Sequence, residues 1–107
     1  MNTKKIVGLR LDDRDNVATI FNDVEKGQTI EILKKDGSVS RIEALTSIPY
    51  GHKIAVEDIQ KGEAIIKYGE EIGISTAPIS EGEWVHVHNL ESTRGRGDWR
   101  ERKGEDQ

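Results

Sequence analysis

The sequence of 107 residues predicts one small all-β domain followed by a polar C-terminal tail. Three observations carry this. Apolar residues come in short runs rich in Ile and Val, several of them alternating with period two. Glycine-bearing turn signals separate the runs at roughly ten-residue spacing. No window reads as a long amphipathic helix.

In chain order, the predicted strands are residues 5–11 (KIVGLRL), 17–21 (VATIF), 29–33 (TIEIL), 39–45 (VSRIEAL), 53–56 (KIAV), 64–68 (AIIKY), 72–76 (IGIST) and 83–88 (EWVHVH). Ile30 and Ile32 share one face of the third. Trp84, His86 and His88 share a face of the last, opposite Val85 and Val87. Short helical turns are expected after Asp15-Asn16 and around residues 56–60, where an Asp or Glu can cap the start. Asp36-Gly37 between the third and fourth strands is a strong hairpin signal.

A cryptic repeat organises the chain. Residues 22–28 (NDVEKGQ) resemble 57–63 (EDIQKGE), and 77–83 (APISEGE) form a weaker third copy. Each has a β-branched anchor, two polar residues, a glycine and a polar residue, then an apolar strand. The anchor belongs in the core, and the glycine suits a positive φ that other residues adopt only at a cost. The copies are too irregularly spaced for a solenoid and suit a compact pseudo-symmetric β fold.

A chain of this length buries roughly two-thirds of its unfolded surface, enough for a modest core. Residues 1–90 hold 11 Lys and Arg against 15 Asp and Glu, while residues 91–107 hold five of each. The body has no basic stripe, and the tail's acids cancel its arginines, which argues against nucleic acid. With no cysteine there is no disulfide framework or thiolate site. The N-terminus has no long apolar run, so neither a signal peptide nor a membrane span is expected, and the chain is placed in the cytoplasm. Residues 91–107 are glycine-rich and charged, so a flexible tail or linker is expected there.

Chemistry concentrates on few side chains. His52 lies in Pro49-Tyr50-Gly51-His52-Lys53 and is open to two readings: an acid or base, a role suited to imidazole as a side-chain type, or a surface turn histidine. His86 and His88 stand two apart in His-Val-His-Asn. On a strand their Cβ atoms are about 7 Å apart on one face. That suits ligands to one divalent metal at bond lengths of about 2.0–2.2 Å, or equally two half-exposed histidines of an edge strand. Asn89 beside them suits an oxygen ligand, a partner for a substrate hydroxyl, or the commoner role of a turn residue. Arg94 and Arg96, each flanked by glycine, can fork onto a carboxylate or serve as a solvated linker. No phosphate loop, nucleophile elbow or paired catalytic carboxylates are apparent, so a complete active site is hard to assemble from this chain.

The ordered series Gly51-His52-Lys53-Ile54-Ala55, Asp58-Ile59 with Lys61-Gly62-Glu63, Ile66-Lys67-Tyr68-Gly69, Ile72-Gly73 and His86-Val87-His88-Asn89 resembles the N-terminal SAF domain of the altronate and galactarate dehydratase family. Asp15-Asn16-Val17-Ala18 and Glu91-Ser92 with Arg94-Gly95-Arg96-Gly97-Asp98 extend the likeness. The resemblance implies a β-clip (SAF-like) domain over 1–90 and a linker over 91–107. It implies a small subunit of a split, altronate-type hydro-lyase that turns a sugar acid into a 2-keto-3-deoxy acid, inactive without a large catalytic subunit. A divalent metal, iron or manganese, is implied with it, shared with that subunit. Carried onto this chain, His52 is the catalytic residue, His86 and His88 are metal ligands, and Asn89, Arg94 and Arg96 bind substrate. Homo-oligomers are compatible with this. Two other readings stand beside it: the small subunit of a sulfolactate sulfo-lyase, with similar GHK and HVHN segments, and a stand-alone sugar-acid or protein binding module.

Overall fold

The computed structural model describes residues 5–93, which form nine strands and no helix. They are β1 Val7–Arg10, β2 Val17–Ile20, β3 Thr29–Lys34, β4 Val39–Glu43, β5 Lys53–Ala55, β6 Ala64–Lys67, β7 Glu70–Ser75, β8 Trp84–Val85 and β9 Leu90–Ser92. Six make one sheet in the order β4-β3-β1-β2-β5-β8, and β6-β7-β9 make the second. Neighbours run antiparallel except β1 and β3, which are parallel.

All four residues of β2 are buried because this strand separates two cores. Period-two alternation sends Ala18 and Ile20 into a core shared with Ile30, Ile32, Ile42 and Ile54. It sends Val17 into a second core with Ala55, Ile59, Ile65, Ile79 and Val85. β5 keeps the same alternation, since Val17 pairs with Ala55 and Ala18 with Ile54.

The repeat is a physical unit, and it has four copies. Anchors Val24, Ile48, Ile59 and Ile79 are all at most 2% exposed. They pair as two antiparallel bridges, Val24 with Ile48 and Ile59 with Ile79. Three residues after each anchor stands a glycine with positive φ: Gly27 (94°), Gly51 (83°), Gly62 (88°) and Gly82 (95°). Each glycine N–H donates to a carbonyl four residues before the anchor with which its own anchor is bridged: those of Ala44, Ile20, Ser75 and Ala55 respectively. The N–H of that same residue then donates to the carbonyl just after the glycine, on Gln28, His52, Glu63 and Glu83. Two such interlocked pairs make the domain pseudo-symmetric. The Ile48 copy escapes a reading of the sequence because Pro49-Tyr50 and His52 hide its frame.

The hairpin at Asp36-Gly37 forms as expected. Gly37 has φ 88°, and Asp36 Oδ1 accepts from the N–H and hydroxyl of Ser38. The two expected helical turns do not form. Asp15 Oδ1 accepts from the N–H of Gly69, and its other oxygen accepts from the N–H of Asp12, so this carboxylate pins two loops and caps no helix. Asn16 donates to the Ala64 carbonyl and accepts from the Ile66 N–H, clipping β2 to β6. These are groups that would each cost about 1–3 kcal/mol if buried unpaired. At 56–60, the Asp58 carboxylate accepts from the Glu81 N–H in the neighbouring unit, and Ile59 is committed to its bridge. Two further differences concern the end of the domain. β8 stops at Val85, so His86 to Asn89 form a turn where a strand through His88 was expected. β9 runs across the expected boundary after residue 90 and pairs with β7.

Candidate functional site

The turn unit explains why His52 is available. In three copies the residue after the glycine closes its own turn: Gln28 accepts from the N–H of Glu25, Glu63 from Gln60 and Glu83 from Ser80. In the fourth copy the equivalent donor position is Pro49, which has no N–H. The side chain at position 52 therefore has nothing to accept within the turn, and it reaches across to β8. There Trp84 Nε1–H donates to His52 Nδ1 at 3.1 Å. The register of β5 on β8, with Ile54 opposite Trp84, brings the two together.

Trp84 organises all three histidines. His86 stacks nearly parallel to it, with centroids 5.5 Å apart and 8° between planes, and the His88 ring lies 4.9 Å away. His52 and His86 are themselves 4.5 Å apart. Among the described residues, ring contacts join His86 to His52 and to Trp84, not to His88. Asn89 is buried and shapes this loop: its oxygen accepts from the His86 N–H and its amide donates to the Trp84 carbonyl. Both ends of the amide are thus engaged in holding the turn that carries His86 and His88. A cleft of about 360 Å³ opens beside it, lined by Thr46, Ala77, Pro78, Glu83, Trp84, His88 and Asn89. Arg94 and Arg96 lie outside the described residues.

The local field is positive. Burial lowers the His86 pKa, and nearby His52, Lys53 and His88 lower it further. Lys53 is partly buried, and its pKa is lowered by that burial and by Lys67. A histidine with a lowered folded pKa stays neutral where the unfolded chain takes up a proton. Its contribution to stability is therefore present above its ordinary value of about 6.5 and is lost as pH falls below it. A ring-proton NMR titration should place the His86 midpoint below 6.5, and Lys53→Met should move it upward; a midpoint at or above 6.5 contradicts this field. As for a metal, no group of three or more His, Cys, Asp or Glu side chains among the described residues is placed to hold one.

Together the fold and this rim define a class: a small two-core β domain that carries a tryptophan–histidine cluster at the end of its larger sheet. The chain belongs to the altronate/galactarate dehydratase SAF domain family, whose model matches residues 6–93. It is 37% identical to an altronate dehydratase of Bacillus subtilis over 78% of this chain, and 39% identical to a galactarate dehydratase (L-threo-forming) of Escherichia coli over 72%. It is also 36% identical, over 70% of its length, to a (2R)-sulfolactate sulfo-lyase subunit alpha of Chromohalobacter salexigens. The aligned part spans 16% and 14% of the two dehydratases but 81% of the sulfo-lyase subunit. Among the described residues no helix is long and apolar enough to cross a membrane.

Proposed function

We propose that the chain is the small subunit of an altronate-type sugar-acid dehydratase, acting on its substrate together with a large catalytic subunit. The observation that supports this best is the family match over 6–93, which takes in His52, His86 and His88 around Trp84. The reaction removes the C2 proton and the C3 hydroxyl of the acid as water. The resulting enol becomes the 2-keto-3-deoxy acid, so a base and help for the leaving hydroxide are both needed. His52 is the group we assign to the substrate directly, with Arg94 and Arg96 on its carboxylate. His86 and His88 are assigned to a divalent metal, iron or manganese, whose remaining ligands come from the large subunit. Such a metal supplies Lewis-acid assistance to the departing oxygen.

A second reading, the small subunit of a sulfolactate sulfo-lyase, is supported by coverage, since the aligned part spans 81% and 94% of two such subunits. One experiment separates them. The chain is combined with a large dehydratase-type subunit and assayed on altronate, galactarate and sulfolactate. Formation of a 2-keto-3-deoxy acid only in the mixture is expected. Sulfite release would transfer the assignment to the sulfo-lyase. Altronate binding by the chain alone, with no turnover in any mixture, would leave a binding module.

A further inference from the structure

We propose that Trp84 is a positioning residue that pins His52 as its Nε2–H tautomer, so that His52 presents a hydrogen-bond donor to a substrate carboxylate and is closed to metal ligation and base chemistry. This rests on the dehydratase reading for the identity of the ligand and deepens it by fixing what His52 can do.

The argument is one of donors and lone pairs. An indole N–H only donates, so the 3.1 Å contact from Trp84 Nε1 requires a lone pair on His52 Nδ1. A neutral imidazole has one N–H, which must then sit on Nε2. Doubly protonated, the ring would aim an N–H at the indole N–H and lose the bond. A general base needs a free lone pair facing the substrate, and the only one this tautomer has is already turned to Trp84. Metal ligation through Nε2 likewise requires the proton to move to Nδ1, because a ligating imidazole donates from its other nitrogen. Trp84 blocks that arrangement too. Two independent features support the pinning. Pro49 removes the turn's own use of position 52, and the register of β5 on β8 sets the indole beside it.

What remains is a neutral N–H donor, the device by which an imidazole steadies negative charge building on a substrate oxygen. The surroundings choose an anion: Lys53, next in sequence, is partly buried, and its charge acts on His86, whose ring lies 4.5 Å from that of His52. Among the described residues the ion pairs are Lys5–Glu31, Arg14–Asp12 and Arg41–Glu31, so none engages Lys53. A carboxylate is the ligand group this chemistry fits. In dehydration of a sugar acid, the carboxylate oxygens take up the charge left when the C2 proton departs, and His52 then acts on that charge while the base is another group.

The test is read on the 107-residue chain labelled with ¹⁵N, above the range where histidines titrate. Long-range ¹H–¹⁵N spectra should show His52 wholly as the Nε2–H form, with the Trp84 indole proton protected from exchange. Altronate should shift the His52 Nε2–H signal, and the neutral polyol altritol should not. Zn²⁺ alone should leave that N–H in place. Trp84→Phe should release a population with the proton on Nδ1 and let Zn²⁺ reach His52, raising affinity about tenfold, the scale of an outer-shell hydrogen bond. Should that variant not fold, His52→Ala serves in its place, and exchange of the Trp84 indole proton should quicken at least about tenfold. A proton on Nδ1 of wild-type His52, Zn²⁺ bound there, no response to altronate, or an indole proton indifferent to His52→Ala would each overturn the proposal. Because these signals need no partner, they stand or fall separately from turnover: an inactive mixture with a pinned His52 counts against the dehydratase reading alone.

Discussion

If the proposed pairing with a large dehydratase-type subunit holds, removing the His86 and His88 imidazoles together, as His86→Ala with His88→Ala, is expected to lower turnover in that mixture at least about 100-fold while leaving the fold intact. A positioned group that moves a proton contributes about 10²–10⁴ in rate, and Lewis-acid assistance contributes several kcal/mol of transition-state stabilisation. The stability of the double variant follows from placement. His88 is exposed, His86 is only partly buried, and the turn's internal bonds run through the backbone and through Asn89. Neither truncation leaves a cavity in either core. Val87, between them, is 78% exposed, so Val87→Ala is the matched control and should turn over like the wild type. Turnover and thermal unfolding measured on the same preparations check this. A double variant with wild-type rate would remove both histidines from the chemistry.

Much of this arrangement is legible in the residues before any fold is known, and the remainder fails for physical reasons. Strands β1 to β7 stand where the runs rich in Ile and Val predict them, and β8 falls within its predicted run but stops at Val85. β9 is missed because only Leu90 of its three residues is apolar, and it is held by pairing with β7. Asp15 and Asn16 read as helix caps because capping and loop-clipping use the same short polar side chains; sequence does not say that their partners are Gly69, Ala64 and Ile66, about 50 residues away. The three histidines are conspicuous at once, yet their grouping is not. Two-residue spacing suggests His86 with His88 on a strand, whereas β8 ends at Val85 and the closer ring pair is His52 with His86. That pairing depends on β5 lying next to β8, a property of sheet order and not of local pattern. Trp84 reads only as one face of a strand for the same reason.

Gly82→Ala is expected to be the most damaging single methyl in the domain, lowering stability by about 3 kcal/mol. With φ at 95°, the backbone is left-handed there, and adding a Cβ costs about 1–2 kcal/mol. That Cβ would also lie 2.4 Å from the Glu43 carbonyl oxygen and 3.1 Å from Leu45 Cγ. The first of these is backbone of the neighbouring unit, held by the Leu45 N–H to Gly82 carbonyl bond, and it cannot rotate away. Overpacking of this kind adds about 1–3 kcal/mol. The internal controls are Gly27→Ala and Gly62→Ala, the same turn position with φ of 94° and 88° and nothing within 4 Å of the added methyl. They should show the conformational cost alone, so the difference between variants isolates the clash. For a domain this size, 1 kcal/mol moves the melting temperature by about 4–8 °C, which places Gly82→Ala roughly 12–24 °C below wild type. Equal melting temperatures for the three variants would show that the contact with Glu43 relaxes freely. The effect should also reach the site in the fraction that stays folded. Glu83 and Trp84 follow Gly82 directly, and Glu83 fixes the β8 edge through its carbonyl bond to the Ala55 N–H. A shifted turn therefore moves the indole away from His52 Nδ1, and loss of exchange protection at the Trp84 N–H would report that movement.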